Sequence, residues 1–226
     1  MNEELLWTTL ELDAPDARDY KYEELFWANN EKKEWYVVFY PPHIQNQGLK
    51  PRTRMACSRY GMSHAVNAQN SEVAKIDGMR WYEIPAEGQW ENYLKVNAAA
   101  EREWATLQSA LKQFLDLWFI TGYSQVETIE QMKQALREYK PIYTGSKVGD
   151  WRAVTNEKKY KLRTDGRFVG HCFCIVGFDG AGWVAINSYG SSDGVFHIPY
   201  ELTESLFTRY AISDSRDVAV FASKQE

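Results

Sequence analysis

Gly170-His171-Cys172-Phe173-Cys174-Ile175-Val176-Gly177-Phe178-Asp179, followed by Gly182-Trp183-Val184-Ala185-Ile186-Asn187-Ser188-Tyr189-Gly190, is the stretch whose reading decides the fold. Each half is a short apolar run rich in β-branched and aromatic residues, and Gly180 to Gly182 separates them, which is a hairpin pattern. The turn falls about midway between His171 and Asn187. A hairpin therefore sets those two residues near the same end of adjacent strands. There the Asn187 side-chain carbonyl can accept an imidazole N–H and fix the ring's orientation and tautomer. The plainer alternative is a core histidine beside a turn asparagine.

Working outward, Ile142 to Thr144, Val195 to Pro199 and Val218 to Ala222 are also short and apolar or β-branched, separated by Gly, Asp and Ser clusters. Together they predict a run of antiparallel strands. Upstream the periodicity changes. Trp104, Leu107, Leu111, Phe114 and Trp118 recur at spacings of 3, 4, 3 and 4, which predicts a helix within Asn97 to Trp118. Thr128 and Gln131 form a capping box before the stripe Ile129, Met132, Leu136 and Tyr139, and Pro141 stops that helix. Tyr60, His64 and Asn67 share helical spacing in a proline-free segment from Cys57 to about Asn70. Residues 72–93 are mixed and rich in aromatics. Trp35 to Tyr40 reads as a strand ended by Pro41-Pro42, and residues 1–34 as an irregular arm with a helical turn at Tyr22 to Trp27. The expected class is α+β. Residues 1–140 form an arm plus a mainly helical lobe, and residues 141–226 a mainly antiparallel β lobe.

Cys57 opens its helix. A thiolate is the reactive form of cysteine, whereas a free thiol of pKa about 8.5 is mostly protonated at neutral pH. A helix N-terminus and a neighbouring imidazolium both favour the anion. Taken alone, a helical cysteine is more often a small buried hydrophobe. The other histidines form no second site: His43 lies in the loop before Cys57, His64 falls on the helix stripe as a packing residue, and His197 alternates in a strand. Without Cys-x-x-Cys or His-x-x-x-His spacing, no metal and no cofactor is expected.

The three cysteines cannot all pair, and Cys172 and Cys174 are ill placed for a disulfide, so free thiols and a reducing compartment are expected. The net charge of −5 argues against nucleic acid as a partner, and the clusters Lys50 to Arg54 and Lys158 to Arg163 read as solvated loops. No run approaches the ~20 apolar residues that span a bilayer, and the N-terminus lacks the pattern of a secretory signal. A cytoplasmic protein without a membrane partner is expected, or a virion-associated one if the source is viral.

Here the residues resemble a known family. Gly170-His171 with Ile175-Val176-Gly177-Phe178-Asp179, then Asn187-Ser188-Tyr189-Gly190, then Gly194-Val195-Phe196-His197-Ile198-Pro199-Tyr200, is similar to the histidine and asparagine motifs of papain-like cysteine peptidases. Asn46-Gln47-Gly48 resembles the family's NQG, and Asp16 to Tyr20 its D-x-R-x segment. Thr128 to Pro141 looks like the segment that crosses into the β lobe. The likeness is specific over 170–200 and loose between 71 and 125. It implies a two-lobe fold, a helical left domain and an antiparallel β-barrel-like right domain with a cleft between them. It also implies peptide or protein substrates and a set of roles: Cys57 as nucleophile, His171 as base and acid, Asn187 as orienter, and Gln47 with the Cys57 N–H as oxyanion donors.

The pattern also departs from the family. Met55-Ala56-Cys57-Ser58 stands for G-S-C-W. Gln47 precedes Cys57 by ten residues, a longer interval than the family's, with Lys50-Pro51-Arg52-Thr53-Arg54 inserted, and Gln45 is an alternative donor. Tyr189 replaces the tryptophan of NSWG and could shield the His–Asn bond. The GCNGG segment has no counterpart. Residues 1–15 are too short for the family's long propeptide, so the expectation is either an enzyme without zymogen control, as in intracellular or viral-type members, or one whose propeptide has been removed. Two other readings stand beside the peptidase. One is a catalytically silent papain-fold protein serving in binding or assembly, for instance in a virion. The other is a thiol amidase acting on cell-wall peptides, against which the NSYG motif speaks.

Overall fold

The structure is a computed structural model that describes residues 20–21, 37–49, 53, 56–77, 82–98, 105–167, 170–188 and 194–213. In chain order its elements are β1 (Tyr20–Lys21), β2 (Val37–Val38), α1 (Cys57–Asp77), α2 (Ala86–Val96), α3 (Leu107–Asp116), β3 (Gly122–Val126), α4 (Ile129–Arg137), β4 (Ile142–Ser146), α5 (Trp151–Glu157), β5 (His171–Phe178), β6 (Gly182–Ile186), β7 (Val195–Pro199) and β8 (Arg209–Ser213). The class is α+β. Among the described residues the strands join one sheet in the order β1-β3-β8-β4-β5-β6-β7, with β2 on β5. Among the described strands β1 and β3 pair in parallel, and the other strand pairs are antiparallel.

β5 is the hub. It pairs with β4, β6 and β2, and all eight of its residues are buried. A strand covered on both faces can be apolar throughout, which explains why Cys172 to Phe178 runs without alternation. α1 lies across it. Gly61 marks the closest approach, since a Cβ there would stand 3.3 Å from the Phe173 backbone and 3.2 Å from the Tyr143 ring. Tyr143 from β4 donates its hydroxyl to the Ser58 carbonyl at 3.0 Å, pinning the first turn of α1. Gly145 permits the second close approach, β4 against the start of β5, because a Cβ there would collide with the His171 carbonyl oxygen.

The hairpin, the strands Val195–Pro199 and Ile142–Ser146, and the capping box of α4 follow the sequence reading. Thr128 Oγ1 accepts the Gln131 N–H, and Gln131 Oε1 accepts the Thr128 N–H, each at 3.1 Å. Other features differ. α1 extends to Asp77 because its buried polar side chains bond to neighbouring segments rather than to their own backbone. α3 stops at Asp116, and Trp118 turns into the left-handed region at φ 59 with its ring exposed, so it leaves the stripe of Leu107, Leu111 and Phe114. α2 arises in the stretch read as mixed, and α5 interrupts the run of strands. β3 and β8 were not anticipated. The helical turn at 22–27, Trp35, Trp104 and the strand at 218–222 lie outside the described residues.

Gly145→Ala should destabilise the fold by about 1–3 kcal/mol, the usual cost of overpacking. Urea unfolding checks this, and unchanged stability would mean that β4 approaches His171 less closely than described.

Candidate active site

Three elements converge at one end of β5. Cys57 is the first residue of α1, so its N–H has no intrahelical acceptor and the positive end of the helix dipole lies on its side chain. The helix start is set by Ala56, whose carbonyl accepts the N–H groups of Arg59 at 2.9 Å and Tyr60 at 3.0 Å. His171 opens β5, and Asn187 follows β6. Both are buried, while Cys57 is partly exposed.

His171 Nε2 stands 2.7 Å from Asn187 Oδ1. The amide oxygen can only accept, so Nε2 carries the proton and Nδ1 is the basic nitrogen of the neutral ring. Asn187 is held in turn: its N–H donates to Gly194 O at 2.6 Å, and Nδ2 reaches Thr155 Oγ1 at 3.4 Å. The Trp151 ring packs on the imidazole with centroids 4.7 Å apart. Trp151 and Thr155 are one turn apart on α5, so a single helix face covers the His–Asn pair. Tyr189, the residue expected to shield it, lies outside the described residues.

The Cys57 thiol is held well below its ordinary pKa. A hydrogen bond from the Cys172 thiol contributes most, burial opposes it, and the hydrogen bond and charge of His171 add to the lowering. Cys172 moves the other way, pushed up by burial and by the neighbouring Cys57 anion. Burial also pushes the Cys174 thiol up. Of the three thiols, Cys57 is the one whose surroundings favour the anion, the reactive form.

Gln47 is buried, and its backbone N–H donates to Ser188 O at 2.9 Å. Its Oε1 accepts the Ser188 hydroxyl at 2.8 Å, which fixes Nε2 as the opposite, donor end of the amide. The loop before α1 is thereby tied to the residue that follows Asn187. Gln45 is committed elsewhere. Its Nε2 donates to Ile84 O at 2.9 Å, and its Oε1 accepts the Ala86 N–H at 2.7 Å, so the alternative assignment of Gln45 as oxyanion donor fails. His43 pairs with Glu83 at 2.8 Å on the surface, and His197 lies 3.6 Å from Asp179. His64 is fully buried as a packing residue would be, yet its ring also takes a specific hydrogen bond, the Gln45 N–H on Nε2 at 2.8 Å.

Sequence reasoning missed Cys172, Trp151, Thr155 and Ser188. Asp150, which accepts the Ala153 N–H at 3.1 Å, is the N-cap that signals α5 and so carried a clue to Trp151. Cys172 carried none, because its partner Cys57 lies far earlier in the chain, at the start of α1.

No family profile matches the chain, and no curated protein sequence does. Solved structures do. Xylellain, a cysteine protease from Xylella fastidiosa, is similar over 91% of this chain and 95% of its own, with TM-score 0.68 and 18% identity. Digestive procathepsin L2 from Tenebrio molitor larval midgut matches 95% of this chain and 81% of its own, at TM-score 0.65 and 14% identity. The Carica candamarcensis cysteine protease CMS1MS2, solved with E-64, matches 80% and 99%, at TM-score 0.59 and 13% identity. The chain has the papain-like fold. At these identities the likeness speaks to the fold alone. Among the described residues, no helix of this papain-like chain is long and apolar enough to cross a membrane.

Two expectations follow. At pH 6 iodoacetamide should alkylate Cys57 while sparing Cys172 and Cys174, and Cys172→Ala should move the alkylation profile of Cys57 to higher pH. Peptide mapping by mass spectrometry reads both, and an unmoved profile would remove Cys172 from the site's electrostatics. His64 gives the second. Burial pulls its pKa from 6.5 to about 3, so the native state holds it neutral while the unfolded chain protonates. Stability is then lost as pH falls from about 6.5 toward 3, by about 1.4 kcal/mol per unit from this group. His64→Gln should flatten that slope in urea unfolding series between pH 6.5 and 4.5.

Proposed function

We propose that the chain is a cysteine peptidase that hydrolyses peptide bonds through an acyl-enzyme. The observation that carries this reading is a thiol at a helix N-terminus, held below its ordinary pKa beside a histidine whose far nitrogen is fixed by Asn187 at 2.7 Å. The papain-like fold of solved cysteine proteases supports it.

In the proposed mechanism the Cys57 thiolate attacks the scissile carbonyl carbon, and the carbonyl π electrons move to oxygen. Gln47 Nε2 and the Cys57 N–H donate to that oxyanion. His171, protonated on Nδ1, gives its proton to the departing amine nitrogen as the C–N bond breaks, leaving a thioester. Water then attacks the thioester carbonyl, His171 Nδ1 takes its proton, and the Cys57 thiolate leaves. Asn187 holds the ring so that one nitrogen serves both transfers. Trp151 excludes water that would compete for the Nε2–H bond.

A fluorogenic peptide library, read with and without E-64, tests the reading. Cys57→Ala should abolish turnover and labelling. His171→Ala should lower kcat by about 100- to 10,000-fold, and Gln47→Ala by about 100- to 1,000-fold. If Cys57 reacts with E-64 no faster than an unactivated thiol, and no peptide is cleaved, the silent papain-fold reading takes its place.

A further inference from the structure

The sequence places Gln47 ten residues before Cys57, with an insertion between them, so chain connectivity alone holds the oxyanion loop loosely. The loop is instead tethered from behind. His64 sits on α1, two turns past Cys57, with no exposed surface. Its Nε2 accepts the backbone N–H of Gln45 at 2.8 Å, two residues before Gln47. For that nitrogen to accept, Nδ1 must carry the ring proton, and Nδ1 has no partner. Leaving a buried donor unsatisfied costs free energy. An apolar side chain would avoid that cost, so the acceptor nitrogen is the feature the histidine contributes.

The tether is doubled. Gln45 spans to the segment before α2, with Nε2 on Ile84 O at 2.9 Å and Oε1 under the Ala86 N–H at 2.7 Å. Asn67, one turn beyond His64 on the same helix, holds both polar groups of Ile84, its N–H at 2.8 Å and its carbonyl at 3.0 Å. Tyr60 packs edge-on against the His64 ring from the preceding turn, with centroids 6.4 Å apart. At its other end the loop is held by Gln47 on Ser188. The loop is therefore fixed between α1, which carries Cys57, and the residue after Asn187.

We propose that His64 is a positioning residue that accepts the Gln45 N–H and thereby sets Gln47 at the oxyanion of the proposed peptidase reaction. This rests on the reading of Gln47 as oxyanion donor. The ring stays neutral throughout the working pH range, so the tether does not switch with pH. A misplaced oxyanion donor weakens the transition state more than the ground state, so the effect falls on kcat.

The test is a double-mutant cycle on a fluorogenic peptide. His64→Leu should lower kcat by about 10- to 100-fold, within the range of a lost oxyanion donor, with KM and the pH profile of Cys57 alkylation unchanged. His64→Gln, whose amide oxygen can accept the same N–H, should recover most of the rate. In a Gln47→Ala background His64→Leu should cost little more, because the donor it positions is gone. Independent multiplication of the two effects, or a kcat for His64→Leu within twofold of wild type, overturns the proposal. If His64→Leu does not fold, His64→Met carries the same cycle. Deuterium exchange over residues 44–49 separates the two levels of inference. Should wild type cleave no peptide, the peptidase reading falls, while fast exchange in His64→Leu and slow exchange in wild type and His64→Gln still show the tether. Equal exchange in all three removes it.

Discussion

The docking of α1 on β5 is the constraint on which the rest depends. A helix and a strand from distant parts of the chain must meet within ångströms if a thiol on one is to share a proton with an imidazole on the other. The contact at Gly61 brings the helix backbone onto Phe173, and Cys57 lies one turn earlier on the same face. The Tyr143 hydroxyl on Ser58 O fixes rotation of that first turn. Tyr143 belongs to β4, which pairs with β5 from Ile142 through Ser146, so one sheet positions both partners. Cys57 and His171 thus stand on regular elements, which hold side chains more closely than loops do.

The same helix is unusual in what it buries. Ser58, Arg59, Ser63, His64, Asn67 and Gln69 are all inaccessible. Among the described residues Arg59 meets no carboxylate. Its guanidinium donates to Gln113 Oε1 at 2.9 Å, Ser109 Oγ at 2.8 Å, Ser109 O at 3.1 Å and Ser58 Oγ at 3.1 Å, and lies 3.5 Å over the Tyr93 ring. A planar cation with five donors can thus join α1, α2 and α3 through neutral partners. Burial lowers its pKa, the expected direction for a charge taken out of water. Arg59, His64, Asn67 and Gln69, which would weaken an exposed helix, here bond to neighbouring segments, and that network orients α1 more specifically than a greasy face would.

Much of this was legible in the chain, and unevenly. The hairpin, the capping box and the His–Asn pair rest on local patterns, and local patterns survive into the structure. The helical spacing of Tyr60, His64 and Asn67 is legible, but His64 reads as packing, because nothing in a single sequence says that the segments at Gln45 and Ile84 lie against that helix. α2 and α5 were missed for a related reason. α2 starts at Ala86 after Pro85, which offers no side-chain cap, and α5 is only seven residues long, too short for periodicity to speak. Cys172 was read as a strand residue with an unpaired thiol. Its role depends on which part of α1 crosses β5, and that is a tertiary fact.

The hairpin holds a subtler lesson about parity. Near the turn, Gly177 pairs with Val184 and Phe178 with Trp183; beyond it, Ile175 pairs with Ala185 and Cys174 with Ile186. One extra residue, Val176, is accommodated on β5 as a bulge, and its carbonyl accepts the Phe39 N–H at 3.0 Å. Continuing the first register would set Asn187 opposite Cys174, on the face away from His171. Continuing the second sets it opposite Phe173, two residues from His171 and on the same face. A one-residue slip moves every side chain of a strand to the other face, so the bulge is what lets Asn187 reach the imidazole. Symmetry about the turn brought the two residues to the same end of the hairpin; only the extra residue brought them to the same side.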